Sequence, residues 1–296
     1  MSVHQPVQQL RRRRLGVAHL VFFTVAASAP LTALGGGLTT TFAVTGVVGV
    51  PLSFLVLAVA LAMFAVAYAA MSRHVANAGA FYSYLANGIG PKAAVAGSFV
   101  ALVSYNAIQI GLYGLFGAGF AAFLFSTFGI PLPWWALALA ALLTVGALGV
   151  LRVDLNARVL AVLLLAEVLV VAAYDIGAFT HPADDLITAA GLLPDNLFVP
   201  NAGAVFAFSV AAFIGFESGA IYSEECRNPR VTVARATFVA LGFTGLFYAL
   251  SAWAMTVTVG TGQLQGRPRS TARGSCSARL PSTGAPRSER SATCCS

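Results

Sequence analysis

A chain of 296 residues with 58% hydrophobic and only 9% charged residues is not composed like a soluble domain, since soluble domains carry about 25% charge. Its mean hydropathy is +0.82, and its apolar residues come in blocks of about 20, the length a bilayer core requires. The net charge of +7 does not make a nucleic-acid surface, because the arginines stand between apolar blocks and no basic face interleaved with aromatics occurs in them.

In chain order, the first apolar block follows Arg11 to Arg14. It continues into further spans with no separate cleavage region, so it reads as an uncleaved first helix. Seven spans are predicted: Leu15–Phe42, Val47–Met71, Ala93–Phe125, Trp134–Leu151, Ala157–Ala178, Ala202–Ser223 and Ala236–Gly260. Without a barrel's alternation these are helices, because a helix satisfies its own backbone in lipid. Trp134 and Trp135, after Pro131 and Pro133, suit an interfacial anchor.

Basic residues set an orientation. With the N-terminus cytoplasmic, the inside segments hold Arg11 to Arg14, Arg73, Lys92, Arg152, Arg158, Arg227, Arg230 and Arg235, eleven in all. The outside loops near Thr45, Gly129 and His181 to Pro200 hold none, which predicts a cell-membrane protein with a cytoplasmic N-terminus. The expected divisions are a basic N-terminus (1–14), helices one to five (15–178), an extracellular loop (179–201), helices six and seven (202–260) and a tail (261–296). The Arg/Ser/Pro/Gly-rich tail adds six arginines where the rule expects few and has no apolar run. An extracellular disordered tail would have this composition. The abrupt change near Gly262 is read instead as departure from the natural frame, leaving the protein truncated after the seventh helix.

Two spans carry chemistry. In span six, Gly215 and Gly219 bracket Glu217 inside an apolar run. A carboxylate there costs a few kcal/mol and is expected to face a cavity or a partner. Glycine favours local unwinding, which bares carbonyls and amides at mid-membrane. A glycine packing notch with Glu217 bonded to a neighbouring helix would give the same pattern. In span one, Ala26 to Thr32 contains Pro30, ahead of Gly35, Gly36 and Gly37. Proline lacks an amide proton, so the helix is predicted to break near Ala26 to Ala29. The segment beyond would offer the positive end of a half-helix to a carboxylate. Corresponding interruptions in spans one and six fit an inverted repeat.

Phe213 to Glu217, with Glu224-Glu225 and Asn228-Pro229-Arg230, resembles the sixth-helix signature of the amino acid–polyamine–organocation permease superfamily. The segment Met71 to Tyr84, ending at Gly88 to Pro91, resembles that family's loop between helices two and three. The likeness covers roughly residues 15 to 260. It departs at Ala234 and Ala80, where proline and glycine are usual, and at Ala27-Ser28-Ala29, where the family has Gly-Ser-Gly. The resemblance implies an all-α, five-plus-five inverted-repeat transporter with helices one and six broken. It implies a substrate-binding segment of Ser28, Ala29, Pro30, Leu31 and Thr32, whose backbone N–H groups (Pro30 has none) would meet the carboxylate, and carbonyls near Ala27 and Ile214 for the amino group. Phe213 and Phe216 would close over the substrate, Ala211 would shape the pocket, and Glu217 would be a proton-linked gate. Glu167, about ten residues into span five, lies near where some relatives place a charge in lieu of sodium, and would couple protons. An interhelical bond from Glu167 is the competing reading, and Asp175, nearer the span's end, is expected to be solvated.

Tyr105, Gln109 and Tyr113 share one face of span three and would line the pathway or bond between helices. The expected function is secondary transport of amino acids or related amines by alternating access. The alternative is an inactive truncated fragment. The partners are the substrate, a coupled proton or sodium ion and the bilayer. No cofactor, metal or nucleic acid is expected. A retinal pump would need a lysine in the last span, and Ala236 to Gly260 has none. An intramembrane enzyme would need a catalytic cluster, and none is visible.

Overall fold

The structure, a computed structural model, describes residues 15–75, 79–150, 157–183, 186–226 and 228–260. The expected N-terminal segment and tail lie outside the described residues.

Among the described residues the fold is all-α, with one isolated bridge between Leu15 and Cys226. Span one starts as α1 (Val17–Ala27), breaks, and resumes as α2 (Pro30–Thr32), a π-helical turn (Ala33–Leu38) and α3 (Thr39–Thr45). Next come α4 (Val50–His74), the short α5 (Ala80–Gly88), α6 (Pro91–Phe128), α7 (Trp134–Val150) and α8 (Ala157–Thr180). A 3-10 turn (Ala190–Leu192) and α9 (Pro194–Leu197) precede α10 (Ala202–Ala211). Further 3-10 turns at Ser218–Ala220 and Ser223–Glu225 lead into α11 (Pro229–Val259). Five helical segments are long and apolar enough to cross a membrane, and α7 and α10 are shorter apolar helices.

The element ends follow from local chemistry. Pro51, Pro91 and Pro229 stand in the first turns of α4, α6 and α11, where a missing amide proton costs nothing. Span seven therefore starts seven residues before the predicted Ala236. The Asn228 carbonyl accepts the amides of Val231 and Thr232, nucleating its first turn. Gly46 and Gly129 close α3 and α6 in the left-handed conformation, with φ of 63° and 68°. The 38 residues of α6 run about 57 Å at 1.5 Å per residue. Only Ala94 and Gly117 of it are buried, and large apolar side chains such as Phe99, Ile110 and Phe125 are exposed. Apolar residues all round a helix suit a lipid surrounding. This is a multi-pass membrane protein.

α11 packs most extensively on α4, and α1 and α8 also lie against it. The main core joins Leu34, Leu38 and Phe42 of span one to Phe54, Phe213, Leu241 and Tyr248. A second core joins Leu20, Tyr68, Tyr84, Ala220, Cys226 and Val233. Tyr84 of α5 meets Tyr68 edge-on at 5.3 Å, which draws the segment between spans two and three into the bundle.

Candidate functional site: two helix breaks in contact

The break in span one is abrupt. α1 ends with the Ser28 amide donating to Thr24 and Val25, and Ala29 stands at φ 43°, ψ 69°. That left-handed conformation costs a non-glycine residue about 1–2 kcal/mol. Pro30 then restarts the helix at a position that tolerates its missing donor. Beyond it the backbone widens over Ala33–Leu38, a π turn the sequence reading did not include. Threonine hydroxyls cap its carbonyls: Thr39 donates to Gly35 (2.7 Å), Thr40 to Gly36 (2.7 Å) and Thr41 to Gly37 (2.8 Å). Wide turns of this kind concentrate at functional sites.

Span six breaks more completely. α10 stops at Ala211, and through Glu225 the chain forms only turns and 3-10 helix, so the break expected within the span Ala202–Ser223 takes up its whole second half. Gly215 has φ 104°, and a β-carbon on it would lie 3.0–3.1 Å from Ala27 atoms. The two breaks therefore touch backbone to backbone. At Gly219 an added β-carbon would stand 3.3 Å from the Thr24 hydroxyl, so both glycines permit the approach.

Glu217 lies in this contact, 8% exposed. One carboxylate oxygen accepts the Gly215 amide at 3.1 Å, and the other accepts the Tyr105 hydroxyl of α6. The Tyr68 hydroxyl of α4 donates to the Glu217 carbonyl at 3.0 Å. The carboxylate thus ties its own unwound turn to α6. Phe213 is buried between Phe54 and Tyr248, with centroids at 6.1 and 6.0 Å. Phe216 meets Phe64 edge-on at 6.1 Å. Phe213, Ile214, Phe216 and Glu217 border a cavity of about 300 Å³ that also reaches Leu61 and Phe64.

Tyr248 of α11 donates to the Ser28 carbonyl at 3.4 Å, bracing the first break from a third element. Glu167 of α8 accepts the Leu31 amide at 3.5 Å, at the long end of a hydrogen bond. Two residues singled out separately in the sequence therefore meet, and a carboxylate lies where a half-helix amide emerges. Ser28 and Pro30 are buried, whereas Ala27, Leu31 and Thr32 are exposed. Ala211 is also exposed, and its carbonyl accepts the Ile214 amide at 3.3 Å.

Of the span-three face, Tyr105 alone reaches Glu217. Gln109 donates to Tyr113 at 3.2 Å, and Asn106 bonds its own helix at Leu102. Tyr68 and Tyr248 were missed from the sequence, although a hydroxyl within an apolar span is a signal that it needs a partner. Asp175 is corrected outright. It is 4% exposed rather than solvated, because Ser251 of α11 covers it and donates to it at 2.8 Å.

The structure thus pairs two broken helices within a multi-span membrane bundle, with backbone polar groups and an acidic side chain at their contact. A sequence model of the amino acid permease family matches residues 19–266, and the chain belongs to that family. It is similar to L-asparagine permease of Escherichia coli (strain K12), with 28% identity over 191 residues, 59% of this chain. The chain spans 36% of that relative's length.

Proposed function

We propose that the chain carries the solute site of a secondary transporter for amino acids or related amines, working by alternating access. The observation that supports it most is the contact between the breaks at Ala27 and Gly215, beside Glu217. An amino acid brings one carboxylate and one ammonium. In this reading the Thr32 amide, and the Leu31 amide once Glu167 gives it up, receive the carboxylate, and the carbonyls of Ala27 and Ile214 receive the ammonium. Phe213 and Phe216 close over the side chain. Glu217 and Glu167 are the groups through which proton coupling runs. Residues 15–178 form the first repeat, 179–201 an extracellular connection and 202–260 the start of the second repeat. The N-terminus faces the cytoplasm of a cell membrane, as the basic residues favour. The similarity to the E. coli L-asparagine permease makes asparagine the first solute to try.

A second reading is a permease fragment without transport of its own. The exposure of Ala27, Leu31 and Thr32 favours it, because among the described residues nothing covers one side of the first break. Uptake of radiolabelled amino acids, asparagine among them, into proteoliposomes separates the two. Uptake by the 296-residue chain that collapses in Glu217→Gln supports transport. Absence of uptake by a properly inserted chain supports the fragment.

A further inference from the structure

Asp175 takes no part in the site just described. It lies on α8, two turns beyond Glu167, with one oxygen accepting the Ser251 hydroxyl of α11 at 2.8 Å. Among the described residues its other oxygen, Oδ1, is buried without a hydrogen-bond partner. The surrounding contacts join the same two helices to the segment that follows α8. Phe179 meets Trp253 edge-on at 5.1 Å, Trp253 donates to the Thr188 carbonyl at 2.8 Å, and the Ala183 amide donates to the Val257 carbonyl at 3.1 Å.

No described cation offsets a charge there. On α11, Arg235 lies 16 residues before Ser251, about 24 Å along the helix. Tyr248 is engaged with Ser28, and α2 carries no titratable side chain. His19 of α1 belongs to the opposite end of α8, where neighbouring Val17 shares a groove with Ala161. On α8 itself, Glu167 faces Leu31 and Tyr174 is exposed. His181 is exposed and paired with Thr180, and Asp184 and Asp185 lie outside the described residues.

A buried carboxylate held by one neutral hydroxyl lacks the partners an ionised group needs. We propose that Asp175 and Ser251 form a proton-binding site whose occupancy holds α8 to α11. Bound to its proton, Asp175 is neutral and the interface stays closed. When the proton leaves to bulk water, the carboxylate carries a charge that the closed interface does not compensate. The ends of the two helices then part to admit water, breaking the contacts at Ala183 and Thr188. The ligand is a proton alone, and the inference does not depend on transport.

Two measurements on the full chain in lipid nanodiscs test it. The first is the infrared carbonyl band of protonated carboxylic acids. Part of it should vanish in Asp175→Asn while remaining in Glu217→Gln. The second is hydrogen exchange at the Ala183 amide, corrected for its intrinsic rate. Exchange should quicken by about tenfold per pH unit once opening requires proton release. The Asp175→Asn protein, which imitates the neutral acid, should stay protected at every pH. Ser251→Ala should shift the wild-type profile along the pH axis. If no band is lost in Asp175→Asn, or if that variant keeps the wild-type pH dependence of exchange, the proposal is overturned.

Discussion

Gly215 stands so close to Ala27 that the unwound turn of span six rests directly on the last residue of α1. Two segments nearly 190 positions apart in sequence are thereby fixed against each other by backbone, with no side chain between them. The consequence falls on residue 215 itself, which has φ 104° and only tight room for a β-carbon.

Gly215→Ala should therefore destabilise the protein by about 1–3 kcal/mol, from backbone strain together with the clash. Thermal unfolding in detergent measures it. Gly242→Ala is the control, because a β-carbon there meets nothing within 4 Å and a helical glycine gains from the change by roughly 1 kcal/mol. Equal melting temperatures for the two variants would contradict the close approach.

Ala29 bears the complementary strain, at φ 43° without being glycine. Ala29→Gly is expected to raise stability by as much as about 1 kcal/mol, relief of the left-handed penalty being partly offset by a more flexible unfolded chain. Ala29→Val should lower it, since a β-branched side chain is poorly accommodated in that conformation. The two substitutions moving the melting temperature in the same direction would refute the assigned backbone.

Tyr105→Phe removes a hydroxyl that donates to Glu217 and leaves a mostly buried carboxylate oxygen short of a partner. A loss of about 1–3 kcal/mol is expected. Tyr68→Phe breaks a bond to a backbone carbonyl instead, at a cost of about 1 kcal/mol. In a Glu217→Gln background the penalty of Tyr105→Phe should shrink, whereas that of Tyr68→Phe should persist. A double-mutant cycle on unfolding reads both.

Cys226, beyond span six, is 1% exposed, and its thiol donates to the Tyr222 carbonyl at 3.3 Å. Burial, with a smaller contribution from the Glu225 charge, pushes the thiol up to about 11. Since the thiolate is the reactive form, alkylation at pH 8 should be slow and should accelerate as pH rises toward that value. In a chain whose Cys276, Cys294 and Cys295 are replaced by serine, iodoacetamide labelling followed by mass measurement tests this. Labelling at pH 8 as fast as that of a free exposed cysteine would contradict the packing.

The breaks were legible in the sequence because their causes are local. Pro30 removes a donor and crowds the preceding turn, and two glycines flank a carboxylate in an apolar run. The partners of those breaks were not legible. Helices that are apolar on every side carry no stripe to mark the face that packs. Nothing in the order of residues thus told Tyr105 from Tyr113, or solvent from Ser251 as the neighbour of Asp175. The start of span seven was misjudged for the opposite reason. Its polar first turn, Pro229 to Arg235, looks like loop by hydropathy, and only the proline at the first helical position marks it as helix.

The Leu15–Cys226 bridge has a mechanical implication. The Leu15 amide donates to the Glu225 carbonyl at 3.3 Å, just ahead of α1, and Phe23 stacks on Tyr222 with centroids 5.0 Å apart. The start of span one is thus moored at two points to the end of span six, on one side of the breaks near Ala29 and Gly215. Any motion that tilts α1 must carry residues 222–226 with it or first part the bridge, which makes that small parallel contact a clutch between the two broken helices.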